Sequence, residues 1–112
     1  MIARLMGLKT ISPGELMHRI REGAVVCCDV NSQQSWKSAH VPGARHLNHV
    51  SYSEADLPDD RQTPLVFYCS NPFCRKAPTA ARRALQMGFS DVRVLSAGIS
   101  GWLADRLPTE AG

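Results

Sequence analysis

The chain has 112 residues, 44% hydrophobic and 21% charged, with 13 Lys and Arg against 10 Asp and Glu for a formal net charge of +3. That length suits one domain, residues 1–112, with a core of its own, and the balance excludes disordered, collagen-like and coiled-coil chains. With only 6% aromatic residues beside a mild positive charge, a base-stacking, phosphate-tracking surface is not expected, and so neither is a nucleic-acid partner.

No run approaches the roughly 18 apolar residues of a membrane span, and the first residues lack the apolar core and small-residue cleavage site of a secretory signal. The expectation is therefore a cytoplasmic protein with no membrane partner. Cytoplasm keeps thiols reduced, so of the four cysteines, Cys27, Cys28, Cys69 and Cys74, at least one reads as reactive rather than as half of a structural staple.

In chain order, Ser12-Pro13-Gly14-Glu15 is a capped helix start with proline at the first position; Leu16, Met17 and Ile20 share a face, and Gly23 ends the helix. Residues 24–30, AVVCCDV, form an apolar, β-branched run too short for a helix, as expected of a strand buried on both faces. Adjacent strand residues point to opposite faces, so Cys27 and Cys28 cannot pair with each other. Gln33 to Ala39 reads as a short helix. His40-Val41-Pro42-Gly43-Ala44 then reads as a turn into a brief strand, Arg45 to Leu47. Ser51 with Glu54 suggests another short capped helix.

Pro64 to Cys69 is a second buried strand, followed by a loop, Ser70 to Cys74. From Arg75 the apolar period becomes helical. Ala77, Ala80, Ala81, Ala84 and Leu85 lie on one face, running to Gly88, while Arg82, Arg83 and Gln86 lie on a solvated one. Val92 to Leu95 is a last strand. Gly98 to Leu107 is a terminal helix that turns Ile99, Trp102 and Leu103 inward and stops at Pro108. Trp36 and Trp102 are expected as core anchors, and His18, His46 and His49 as solvated residues. Strand and helix alternate over short links, which predicts an α/β fold with a largely parallel sheet.

Parallel sheets bind ligands beyond the carboxyl ends of their strands, where a helix start offers unpaired N–H groups to an anion. Cys69 ends a strand there, with Arg75 and Lys76 in the first helical turn, a setting that favours the thiolate. It reads either as a nucleophile beside an anion cradle or as a small buried hydrophobe. Cys74 reads either as a second buried thiol or as a disulfide partner for Cys69. Their spacing is not that of a zinc pair, and no metal site is expected.

Three stretches together resemble the single-domain rhodanese, or thiosulfate sulfurtransferase-like, family. They are Cys28-Asp29-Val30 with Ala39-His40-Val41-Pro42-Gly43-Ala44, Val66-Phe67-Tyr68-Cys69 with Arg75, and residues 95–102 through Leu107-Pro108. The resemblance implies a sheet of about five strands, mostly parallel, with helices on both faces. It implies Cys69 as the catalytic persulfide carrier and Ser70, Asn71, Phe73, Cys74 and Arg75 as substrate-binding residues, with Asp29 and His40 in support. It implies a small anionic sulfur donor such as thiosulfate, an acceptor that is a thiol or cyanide-like and could be a protein, and no cofactor. Three departures stand out. Arg75 is six positions after Cys69, the spacing found in rhodanese-fold phosphatases and arsenate reductases. Pro72 removes one amide from the loop. Asn31 stands where an arginine often follows the acid, leaving Asp29 free to orient loop amides or meet Arg75. A partner-binding or redox-sensing module without catalysis is the remaining alternative.

Overall fold

The computed structural model describes residues 2–112. Four of its five strands lie where the β-rich runs predict. The elements are α1 (Ile2–Leu5), β1 (Lys9–Thr10), α2 (Pro13–Arg21), β2 (Val26–Asp29), α3 (Gln33–Ser38), β3 (Arg45–His46), β4 (Leu65–Tyr68), α4 (Lys76–Gln86), β5 (Val92–Val94) and α5 (Gly98–Ala104), with a 3-10 turn at Glu54–Asp56. All strand pairs are parallel, in the order β1-β5-β4-β2-β3. Among the described residues no helix is long and apolar enough to cross a membrane.

The period-2 alternation of the central strands divides the core into two layers. Cys28, Leu65, Phe67, Val92 and Val94 face one cluster with Ala3 of α1 and the alanines of α4. Cys27, Val66, Tyr68 and Leu95 face the other with Leu16 and Met17 of α2 and Trp102 of α5. Ala77, Ala80, Ala81 and Ala84 are all buried, because side chains this small let α4 lie close against β4 and β5. Ser12 caps α2 through its hydroxyl, which accepts from Glu15 N at 3.2 Å.

Several expectations are corrected. Element α1 and the edge strand β1 are not predicted; with four and two residues, they carry no readable period. The 3-10 turn is capped by Ser53 with Asp56, not by Ser51 with Glu54. Leu85 and Leu103 turn outward, 42% and 50% exposed, and Phe89 is buried just beyond the end of α4. Trp36 is half-buried, its indole N–H donating to Ala44 O at 2.8 Å, so it braces a turn rather than the core. Of the three histidines expected in solvent only His18 is exposed; His46 and His49 are half-buried. Arg83 is not on a solvated stripe: its guanidinium lies 4.5 Å from the Tyr52 ring centroid, a cation–π contact.

Candidate active site

Strands β2 and β4 are neighbours at the centre of the sheet, and their continuations leave to opposite faces. The segment after β2 packs Val41 and Ala44 into the α2/α5 layer, while α4 packs on the other. That divergence opens a crevice at the carboxyl ends of the two strands, the position where parallel sheets place ligands. Cys69 follows β4 into it and Asp29 ends β2 beside it.

Asp29 is fully buried and pairs across the sheet with Tyr68. The Tyr68 hydroxyl donates to Asp29 Oδ2 at 2.6 Å and accepts from Val41 N at 3.0 Å, while Asn31 N donates to Asp29 Oδ1 at 2.8 Å. Burial raises the Asp29 pKa, opposed by those two hydrogen bonds and by His46 and His40 nearby. Burial and the same carboxylate push the Tyr68 phenol far up, so it stays a donor. Asp29 is thus occupied in holding the turn after β2, and it makes no ion pair with Arg75, contrary to one of the options left by Asn31. Tyr68 is a residue that sequence reasoning missed. The signal was available, because a tyrosine buried in a central strand needs a partner for its hydroxyl and Asp29 is the acid at the neighbouring strand end.

The loop is held from three sides. Ile99 N donates to Cys69 O at 2.9 Å and Ser100 N to Ser70 O at 3.0 Å, tying it to the start of α5. That approach requires glycine at position 98. Gly98 has φ +66°, and a Cβ there would lie 2.6 Å from Asn71 N and from the Ser70 carbonyl. Ser70 Oγ donates to Asn31 Oδ1 at 2.8 Å, joining the loop to the end of β2, with Asn31 Nδ2 buried and unpaired among the described residues. Within the loop, Phe73 N donates to Asn71 Oδ1 at 2.9 Å and Cys74 N to Asn71 O at 3.2 Å. Pro72, which supplies no amide, accepts from Ile2 N at 3.4 Å.

Cys69 and Cys74 are joined as a disulfide, with Cα atoms 6.4 Å apart. Of the two readings open for Cys74, disulfide partner and second buried thiol, the structure shows the first: it is bonded to Cys69, with its side chain half-buried against the α4 layer. Phe73, 77% exposed, and Arg75 project from the loop into solvent; Arg75 makes no ion pair among the described residues. The amides of Ser70, Asn71, Arg75, Lys76 and Ala77 donate to no backbone acceptor among those residues, so the loop after Cys69 has open donors and the positive end of α4, with the Arg75 guanidinium exposed at that helix start.

His40 lies in the turn between α3 and β3, away from the loop contacts. Its ring stacks on Trp36 at 4.4 Å, and its Nδ1 donates to Trp36 O at 2.7 Å. The tail residue Glu110 closes the same turn, accepting from Gly43 N at 2.7 Å. His46 Nε2 donates to Asn31 O at 2.8 Å, a second brace on the segment that carries Asn31.

Comparison with known proteins agrees with this architecture. Thiosulfate sulfurtransferase GlpE of Pseudomonas aeruginosa is 31% identical over 88 residues, 79% of this chain and 78% of that protein. The HTH-type transcriptional regulator Rv0324 of Mycobacterium tuberculosis is 32% identical over 104 residues, 91% of this chain; the chain spans just under half, 45%, of that regulator's length. Among solved structures, the BH2092 protein of Bacillus halodurans superposes with a TM-score of 0.84 at 24% identity, covering 92% of this chain and 77% of that one. The Rhodanese-like domain model matches residues 12–105, nearly the whole length, and the chain belongs to the rhodanese-like domain family.

Proposed function

We propose that this chain is a sulfurtransferase that moves a sulfane sulfur through a persulfide on Cys69. The observation that carries the reading is a cysteine at the carboxyl end of a central strand, followed by a short loop into the amino end of α4, where an exposed arginine without an ion pair among the described residues stands at the helix start. In a reducing compartment such as the cytoplasm the Cys69–Cys74 bond opens. The Cys69 thiolate attacks the outer sulfur of a small anionic donor such as thiosulfate and sulfite leaves. The open amides of Ser70 and Asn71, those of Arg75, Lys76 and Ala77 at the start of α4, and the Arg75 guanidinium hold the donor's anionic end and then the persulfide anion, whereas the Phe73 and Cys74 amides are spent on Asn71 within the loop. A thiol or cyanide-like acceptor takes the sulfur. Asp29 supports this chemistry by fixing the turn, through Tyr68 and the Asn31 amide, and His40 braces the same turn from behind. The chemistry proposed needs no metal or organic cofactor.

The six-position spacing of Cys69 and Arg75 also suits a tetrahedral oxyanion, as in a phosphatase. Phosphoester cleavage needs an acid for the leaving group, however. The first acid after Cys69 is Asp91, whose carbonyl accepts from Leu65 N at the amino end of β4, the far end of the sheet. The deciding experiment is intact-mass measurement of reduced protein after incubation with thiosulfate. A gain of one sulfur atom is expected in wild type and none in Cys69→Ser. Wild type that gains no sulfur from thiosulfate or polysulfide, while hydrolysing an aryl phosphate, overturns the proposal in favour of the phosphatase.

A further inference from the structure

Sulfur transfer to an outside acceptor uses one cysteine, and this loop carries two. The second is built into the loop's geometry. Asn71 accepts from both Phe73 N and Cys74 N, folding residues 71–74 back on themselves, and Pro72 stiffens the fold. The Cys69–Cys74 Cα separation of 6.4 Å lies within the span a disulfide bridges. With the bond closed, Cys69 is 3% exposed, and the cleft it lines with Ala3, Cys74, Ala77 and Pro78 has a volume of ≈ 10 Å³. That is room for about one water and no donor anion. The closed loop is therefore an end state, which must be reduced before the site can load again.

We propose that Cys74 is a resolving thiol and that the chain reduces sulfane sulfur to sulfide at the expense of an external dithiol. The inference rests on the Cys69 persulfide reading above. In the first step the Cys69 thiolate bonds to the outer sulfur of thiosulfate, whose S–S bond breaks with its electron pair leaving on sulfite. In the second, the Cys74 sulfur bonds to Cys69 Sγ and the bond from Cys69 to the carried sulfur breaks. That sulfur departs with the electron pair and takes the Cys74 proton, leaving as hydrosulfide. The carried sulfur is reduced by two electrons, and the two cysteine sulfurs are oxidised together to the disulfide. An external dithiol then reduces the pair and becomes a disulfide itself. Each turnover converts one thiosulfate and one dithiol into sulfite, sulfide and one oxidised dithiol.

Intramolecularity favours this route. The loop brings Cys74 within bonding reach of Cys69, whereas an outside thiol must find the same sulfur by diffusion. The open amides at the loop and the α4 start, which hold the persulfide anion, also stabilise the departing hydrosulfide. Cys27 and Cys28 cannot substitute, since both thiols are buried in β2.

The test is a single-turnover time course with reduced, desalted protein and thiosulfate, no other thiol being present. Wild type is expected to gain one sulfur and then fall to two hydrogens below the reduced mass, with one equivalent of sulfide released and peptide mapping placing the bond at Cys69–Cys74. Cys74→Ser and Cys74→Ala are each expected to stop at the added sulfur and to release sulfide only when dithiothreitol is supplied. Wild type that keeps its sulfur as long as Cys74→Ser, or that releases sulfide without forming the disulfide, overturns the inference and leaves the sulfurtransferase standing. Folded Cys74 variants that fail to load also overturn it, because Cys74 would then serve loading instead. If neither wild type nor variants load, the Cys69 reading itself falls, and the resolving role with it. The wild-type course needs no variant to fold and decides the matter alone.

Discussion

Cys27 and Cys28 are adjacent in sequence and face away from each other; Cys69 and Cys74 are five residues apart and bonded. The first pair lies within β2, one thiol in each core layer. Burial pushes the Cys28 thiol up to about 12, outweighing Arg45, and raises Cys27 well above the ordinary thiol range, with Cys28 and Asp29 adding to the effect. The second pair brackets a loop at a strand end, facing a helix start. Four copies of one side chain thus divide into two inert hydrophobes and two groups placed for chemistry. Position relative to the sheet decides which is which: Cys27 and Cys28 lie inside the β2 ladder, whereas Cys69 lies where β4 gives way to the loop that leads into α4.

The contrast is broken most severely by moving the loop. Gly98→Ala forces a Cβ against the Ser70 carbonyl and the Asn71 amide at a positive φ, which should cost about 2–4 kcal/mol in denaturant unfolding. Displacement of the loop by an ångström or so should also slow sulfur loading about 100-fold. Next comes Arg75→Ala. A charge-assisted hydrogen bond to the donor is worth about 1.5–3 kcal/mol, so kcat/KM for thiosulfate should fall roughly ten- to hundredfold, towards the lower figure because Arg75 is exposed, with unfolding midpoint unchanged.

The inert pair offers the converse test. Iodoacetamide applied to reduced, native protein should label Cys69 and Cys74 and reach Cys27 and Cys28 only after denaturation, as read by peptide mass. Replacing Cys27 or Cys28 by alanine should cost about 1 kcal/mol of stability each and leave loading rates unaltered.

The smallest effect concerns pH. The folded-state pKa of Asp29 is raised above 3.8 by burial, so between the two values the native state binds more protons than the unfolded one. This contribution to stability is present below the unfolded pKa and is lost as pH rises through the folded one. Thermal midpoints of wild type minus Asp29→Asn should therefore decline from pH ~3 to ~7; a flat difference would show that Asp29 titrates normally.

Much of this was legible before any coordinates. The strands β2, β4 and β5 and the helices α2 and α4 announce themselves because each has a period and a stop: Pro13 after Ser12, Gly23, Pro64, the alanine face, Gly88. Cys69 could be singled out because a strand end followed by a helix start with two cations is recognisable in one dimension. What stayed hidden depends on partners distant in sequence. β1 is a strand only because Lys9 and Thr10 meet Arg93 and Val94 at the edge of a finished sheet. Arg83 looks solvated until the segment before β4 brings Tyr52 beneath it. Gly98 reads as a helix start, and only the fold reveals that it is also the contact surface for residues 70–71. Cys74 was undecided because six residues of loop permit both outcomes, and the turn built on Asn71 chooses between them.

The tether between this loop and α5 has a temporal meaning during synthesis. A ribosome delivers Cys69 before it delivers the residues from Gly98 onward whose amides grip the Cys69 and Ser70 carbonyls, an interval of 29 residues (98 − 69). At ordinary elongation rates of 5–20 residues per second that is roughly 1.5–6 s. Through that window the emerging chain carries a thiol without the framework that shapes its chemistry. Activity should consequently switch on late and all at once, when the last helix docks, rather than grow as the polypeptide lengthens.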